Sequence, residues 1–179
     1  MTEMTLKLLL IGDAGSGKTT LAHRYMTGLF TENKLTLGVQ FHVKKVNIAL
    51  DETPDVEHDV KLQIWDFAGE KRFRFLLPSY CRGAHAGIFL YDITNSTSLE
   101  NLKDWTDLVF ENAGTIPILL VGSKFDLEEN RQVPTEDGIS VAKENDLAGF
   151  VETSSKTGQN VELTFETISK VALQNLLGS

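Results

Sequence analysis

Gly12, Asp13, Ala14, Gly15, Ser16, Gly17, Lys18 and Thr19 follow the spacing G-x-x-x-x-G-K-[ST], and that spacing is suited to holding phosphate. The glycines let the backbone fold tightly, so that several N–H groups meet one set of oxygens. The N-terminus of the helix expected to follow adds its positive dipole end. The expected cradle is Ala14, Gly15, Ser16, Gly17, Lys18, Thr19 and Thr20. Lys18 should reach the β- and γ-phosphates, and the Thr19 hydroxyl should ligate Mg²⁺. Three further stretches carry chemistry. Asp66-Phe67-Ala68-Gly69 is a D-x-x-G in which Asp66 holds Mg²⁺ through water and Gly69 lets the backbone approach a γ-phosphate. In Gly122-Ser123-Lys124-Phe125-Asp126, a buried Asp126 carboxylate can accept from guanine N1–H and the 2-amino group. Adenine lacks that donor pair and would leave the carboxylate unpaired. The aliphatic stem of Lys124 can lie across the base. In Thr153-Ser154-Ser155-Lys156-Thr157 a backbone N–H can meet guanine O6.

These residues need a scaffold that brings them together. Residues 5–11, 87–91 and 116–121 are apolar at nearly every position, as strands covered on both faces are. Residues 39–50 and 60–66 alternate and read as a hairpin, with 51–59 as its acidic, exposed loop. Residues 150–153 read as one more short strand. Helices are expected over 17–26, around Leu99, Leu102, Trp105 and Leu108 or Val109, and from Val161 to Leu176. Ser98 or Thr97 would cap the second of these and Asn160 the last. Strands alternating with helices imply a mostly parallel sheet with helices on both faces and one antiparallel edge. Every motif follows a strand end, where ligands bind in such sheets.

Composition narrows the function further. At 179 residues the chain is expected to be one domain, 1–179, with ordinary hydrophobic (41%) and charged (23%) content. A net charge of −8 argues against a nucleic-acid or anionic-lipid partner. Cys81 is the only cysteine, which excludes an intrachain disulfide and fits a reducing, cytoplasmic setting. Its arginine neighbour at 82 bears on its acidity, but the expected role is a packed thiol. His23, His42, His58 and His85 lack metal-ligand spacing. Residues 1–4 carry no basic leader region and no apolar run approaches 18 residues, so neither a signal peptide nor a membrane span is expected. Membrane association is expected only through a tail not seen in this sequence.

Taken in order, the four motifs resemble the Ras superfamily of small GTPases over about residues 5–175. The wording is most similar to the Rab-type branch: Leu62-Gln63-Ile64-Trp65-Asp66, Tyr91-Asp92-Ile93-Thr94-Asn95, and the run from Ser154 to Val161. The resemblance implies a P-loop NTPase fold, three-layer α/β/α, with a six-stranded sheet and about five helices. It implies a switch that binds GTP or GDP with Mg²⁺ and hydrolyses GTP, slowly without an activating partner. It also implies effector, exchange-factor and activating proteins as partners at the switch loops. Thr36, in Thr36-Leu37-Gly38-Val39-Gln40-Phe41, stands where the family binds Mg²⁺ and the γ-phosphate. Phe30 stands where an aromatic ring meets the guanine.

The chain departs from the family in five places. Glu70 replaces the glutamine that orients the attacking water. A carboxylate can accept from water or act as base, but its charge opposes the phosphate. The implied catalytic set is Lys18, Thr36 and Glu70. Ser123 replaces an asparagine that braces the base loop, and Ala14 adds bulk beside the γ-phosphate. Residues 31–35 lack the aromatic that often covers the nucleotide, and the loop at 51–59 is longer than usual. A nucleotide-binding module with little hydrolysis is therefore an alternative. An ATP-using P-loop kinase is a third reading, against which the sequence shows no lid or acceptor site. The basic residues Lys71, Arg72 and Arg74 read either as a solvated helix face or as part of a partner-facing switch.

Overall fold

The computed structural model describes residues 3–32 and 36–179. The segment 33–35, within the first-switch stretch, and residues 1–2 of the leader reading lie outside the described residues. Strand β1 (Met4–Ile11) is buried along its second half on both faces, as its unbroken apolar run requires. It lies between β3 (Thr53–Phe67) and β4 (Ala86–Asp92), parallel to both. The full order is β2 (Val39–Leu50), β3, β1, β4, β5 (Ile118–Ser123) and β6 (Gly149–Glu152). Only the β2–β3 pair is antiparallel, which leaves β2 as the antiparallel edge. The chain runs outward on opposite sides of β1, so the topological switch point lies at its carboxyl end.

One face of the sheet packs Leu6, Leu8, Leu10, Ile64, Ile88 and Val121 against α1 (Lys18–Thr27) and α6 (Val161–Leu177). There Tyr25 stacks on Phe165 with ring centroids 3.9 Å apart. The other face packs Leu9, Ile11, Phe89, Tyr91 and Leu120 against α2 (Leu77–Cys81), α4 (Leu102–Ala113) and α5 (Thr135–Glu144). The short α3 (Ser96–Glu100) follows β4. These layers give the expected α/β/α arrangement and the mostly parallel six-stranded sheet. Among the described residues no helix is long and apolar enough to cross a membrane.

Local structure differs from the sequence expectation at four points. The stretch 51–59 is exposed but is mostly strand, because β3 extends back to Thr53 and pairs Asp59 with Asn47 and Glu57 with Ala49. Only Asp51 and Glu52 turn, after a register shift between Ala49 and Leu50. The helix expected around residue 105 is split into α3 and α4. Asn95, not Thr97 or Ser98, caps α3, by accepting from the Thr97 N–H at 3.2 Å. Asn160 sits at φ 59 and turns its carboxamide away from α6 to donate to Glu152 O at 2.8 Å. The described residues hold six α-helices, two of them only five residues long, with 3₁₀ segments at Lys71–Leu76 and Phe125–Asn130. The overlooked α5 carries Glu136 and Asp137 in its first turn and Lys143 in its last. Its buried positions are Gly138 and Ala142, so no apolar stripe marks it. A Cβ on Gly138 would meet the Phe150 ring at 2.5 Å and the Tyr91 hydroxyl at 2.7 Å.

Candidate functional site

Five separate stretches line one cavity of about 540 Å³ at the carboxyl edge of the sheet. They are Ala14, Gly15 and Gly17 to Thr20 after β1, Phe30 with Glu32 and Thr36, Gly69 and Glu70 after β3, Ser123, Lys124, Asp126 and Leu127 after β5, and Ser155 with Lys156 after β6. That volume suits a small-molecule ligand. Among the residues expected at the site, Ser16, Ser154 and Asp66 are buried and do not line the cavity. Glu32 and Leu127 also line it, and no sequence pattern marks either.

The phosphate-loop pattern takes the shape its glycines permit. Gly12, Gly15 and Gly17 all have positive φ, and a Cβ on Gly12 would meet Leu90 O at 2.3 Å. Gly17 leads directly into α1. Lys18 is 5% exposed, and its ammonium donates to Gly12 O and Asp13 O, each at 2.8 Å. Burial lowers its pKa to about 8, against the opposing pull of Asp66 and Asp13. An ammonium desolvated in this way gains strongly from any anion it meets.

Oxygen donors converge beside the loop. The Thr19 hydroxyl donates to Asp66 Oδ2 at 2.5 Å and is hydrogen-bonded to the Thr36 hydroxyl. Asp66 Oδ1 is buried and has no partner among the described residues. Burial raises the Asp66 pKa, opposed first by the Thr19 hydrogen bond and then by Lys18. Two hydroxyls and a carboxylate with an unsatisfied oxygen fit a hard divalent cation. Among the described residues there is no cluster of three His, Cys, Asp or Glu side chains. That donor set suits Mg²⁺, which takes few protein ligands and fills its sphere with water and substrate phosphate.

Gly69 lies flat on the phosphate loop: a Cβ there would fall 2.1 Å from Ala14 N and 2.3 Å from the Asp13 carbonyl carbon. Glu70 faces the cavity, with Oε2 2.6 Å from Arg72 Nε. Of the basic residues that follow, Arg72 is thus ion-paired, Lys71 is exposed, and the Arg74 guanidinium lies 4.6 Å from the Trp105 ring centre.

At the opposite end of the cavity, Asp126 is an exposed residue rather than the buried carboxylate expected. It sits in a 3₁₀ segment at the rim, where Ser154 Oγ donates to its Oδ1 at 2.8 Å. Because the residue is exposed, a bound base, rather than the fold, would desolvate its carboxylate. Ser123 is 5% exposed and donates to Ser16 O at 2.5 Å. The shorter side chain therefore still ties the base loop to the phosphate loop. The Thr153 hydroxyl, next to Ser154 in the chain, is buried and has no partner among the described residues. Phe30 is 37% exposed on the wall, an apolar surface available to a planar ring.

Sequence reasoning missed the contacts that hold Asp13. Its carboxylate accepts from Asn101 Nδ2 at 2.6 Å and Trp105 Nε1 at 3.0 Å. These partners lie 88 and 92 residues away, so no local pattern could have revealed them.

Comparison with known proteins identifies relatives along most of the chain. The Ras family model matches residues 7–174. Ras-related protein Rab-19 of Xenopus laevis is 37% identical over 173 residues, covering 94% of this chain and 76% of that one. Ras-related protein Rab-26 of Homo sapiens is 40% identical over 171 residues, 94% of this chain and 64% of its own length. Ras-related protein RABE1e of Arabidopsis thaliana is 40% identical over 180 residues, 99% and 79% respectively. The chain thus spans a little under two thirds of the Rab-26 relative.

Proposed function

This chain belongs to the Ras family, on its Rab-like side, and from that membership we propose that its 179 residues form one guanine-nucleotide switch domain. In this reading it binds GTP or GDP with Mg²⁺ and hydrolyses GTP to GDP. The observation that carries the reading is the shared cavity. Its phosphate loop and its Lys124–Asp126 loop face one ligand-sized space of about 540 Å³.

The roles follow from chemistry. Amides of Gly15 through Thr20 and the Lys18 ammonium take the phosphates. Thr19, Thr36 and Asp66 are the residues that would hold Mg²⁺, which when bound neutralises phosphate charge. Asp126 takes the guanine edge, the Lys124 stem and Phe30 sandwich its faces, and Ser154, Ser155 and Lys156 close the carbonyl side. Thr36 and Gly69 contact the γ-phosphate, so its loss releases both segments. Glu70 accepts a hydrogen bond from the attacking water. Water oxygen bonds to the γ-phosphorus, the bridging P–O bond breaks toward GDP, and the water proton passes to the carboxylate and then to phosphate. Positioning and electrostatics supply most of such catalysis, so an unassisted rate is slow.

Effector, exchange-factor and activating proteins would read the two states. Leu37 (71% exposed) and Phe75 (75% exposed) flank the two responsive segments and offer apolar surface for such contacts. The chain would work in the cytoplasm, reaching a membrane only through a partner or a tail.

The test is the nucleotide retained on the purified protein, read by mass spectrometry, followed by single-turnover release of phosphate from loaded GTP. Retained GDP and measurable release are expected. Retained ATP, or labelled GTP displaced equally by ATP, overturns the guanine reading. A second reading, nucleotide binding with little hydrolysis, is favoured by the Glu70 carboxylate being tied to Arg72. GTP held without phosphate release selects it. An unchanged rate in Glu70→Ala removes Glu70 from the mechanism.

A further inference from the structure

Asp92 closes β4 and is the one acidic residue of the Tyr91-Asp92-Ile93-Thr94-Asn95 stretch, for which the nucleotide reading gives no role. It is only 8% exposed. A carboxylate so buried must be fully partnered or it is costly. Each of its oxygens has a distinct partner. Oδ1 accepts from Thr94 N at 2.8 Å and Thr94 Oγ1 at 2.6 Å. Oδ2 accepts from the Lys124 ammonium at 2.7 Å. The same ammonium donates to Gly15 O, in the phosphate loop, at 2.9 Å.

The backbone fixes this arrangement. Asp92 pairs with Ser123 across the β4–β5 ladder, one residue before Lys124. Its own N–H is held by Ser98 Oγ at 2.9 Å, and Ser98 in turn donates to Asn95 O at 2.6 Å. Lys124 itself has φ 65, a left-handed conformation that a lysine adopts only when its surroundings impose it. Lysine has a flexible stem with many rotamers, so an ammonium with only a carbonyl and water to hold it would wander.

We propose that Asp92 is a positioning residue: clamped by Thr94, it aims the Lys124 ammonium so that one side chain ties the base-binding loop to the phosphate loop. The consequence is slower escape of the nucleotide. The proposal rests on the guanine-nucleotide reading above. Asp92 touches no ligand itself; it acts through Lys124.

The experiment is release of fluorescently labelled GDP from the full chain with Mg²⁺ present, for wild type, Asp92→Asn, Lys124→Met and the double variant. Asparagine keeps an oxygen for Thr94 and loses only the charge that holds Lys124. Losing one charge-assisted hydrogen bond should speed release about tenfold in Asp92→Asn. The double variant should release no faster than Lys124→Met alone, a non-additivity that a purely structural role would not produce. Release at the wild-type rate in Asp92→Asn, or effects that multiply in the double variant, overturns the proposal. Should Asp92→Asn fail to fold, Thr94→Val carries the test, because it frees Oδ1 from a clamp and should speed release about threefold. Wild-type release in that variant overturns the proposal equally. A wild-type chain that holds no guanine nucleotide overturns the nucleotide reading and this one with it. A wild-type chain that holds GDP while Asp92→Asn releases it unchanged overturns this one alone.

Discussion

Gly69→Ala isolates the contact between the segment after β3 and the phosphate loop. Gly69 is not among the residues of positive φ, so alanine brings no conformational strain and adds only one methyl group. That methyl carbon would lie 2.1 Å from Ala14 N, 2.3 Å from Asp13 C and 2.6 Å from Gly12 O. Nonbonded heavy atoms settle at roughly 3.5 Å, so the overlap exceeds about 1 Å. All three obstacles are backbone atoms of a loop held by Lys18, Asn101 and Trp105, and none can swing aside. The segment carrying Gly69 and Glu70 must therefore retreat by about 1 Å or more, a displacement of a kind that costs a reaction about 10²-fold. In barrier terms that is about 2.7 kcal/mol. The assay is single-turnover phosphate release from GTP-loaded protein, beside release of labelled GDP. The rate of phosphate release should fall about 10²-fold. GDP release should change by less than about threefold, because Gly69 lies away from the base loop. Hydrolysis at the wild-type rate, or a loss confined to GDP retention, would refute the reasoning.

Three other outcomes are expected. Chelating Mg²⁺ should speed nucleotide release from wild type by about tenfold or more, since the phosphate charge is then left to Lys18; in Thr19→Ala the same treatment should have little effect on an already fast release. Arg131→Ala should lower stability by about 3 kcal/mol in urea unfolding, because Glu152 (10% exposed side chain, 2.6 Å from Arg131 Nη1) is left without its cation; a loss under about 1 kcal/mol would make the pair a surface one. Burial pushes the Cys81 thiol from 9.0 up to about 11. The folded chain thus keeps a proton that the unfolded chain loses, and the stability this thiol contributes is full below pH 9 and lost as pH rises toward 11. The stability difference between wild type and Cys81→Ala should shrink by up to about 1.4 kcal/mol per pH unit across that window, and a constant difference would contradict it. The opposite effect of Lys18, whose pKa is lowered, is common to both proteins and cancels.

Much of the scaffold could be read because its signals are local. The unbroken apolar run in β1 follows from its being covered on both faces, and the same holds for β4 and β5. Elements whose burial relies on small residues were not legible. The α5 helix hides its packing face in Gly138 and Ala142, and the long β3 disguises its outer half with Pro54 and acids because no strand covers it beyond Val60 on the β1 side. The cap of α3 was misjudged because Ser98 fits a cap by residue type but is buried as the link between Asp92 and Asn95.

The sequence by itself determined which groups stand at each strand end: the glycines and Lys18 after β1, Asp66 and Gly69 around the end of β3, Lys124 and Asp126 after β5. Residue type and spacing suffice there, since a phosphate loop needs only glycine freedom and a helix start. Tertiary structure alone decided what each of those groups touches. It put Asp126 at an exposed rim, seated the Ser123 hydroxyl on Ser16 O 107 residues away, and gave the Lys124 ammonium to Asp92 and Gly15 together. It also brought Asn101 and Trp105 onto Asp13. Those contacts arise from the order and stagger of neighbouring strands, a property of how the sheet assembles that no single segment carries.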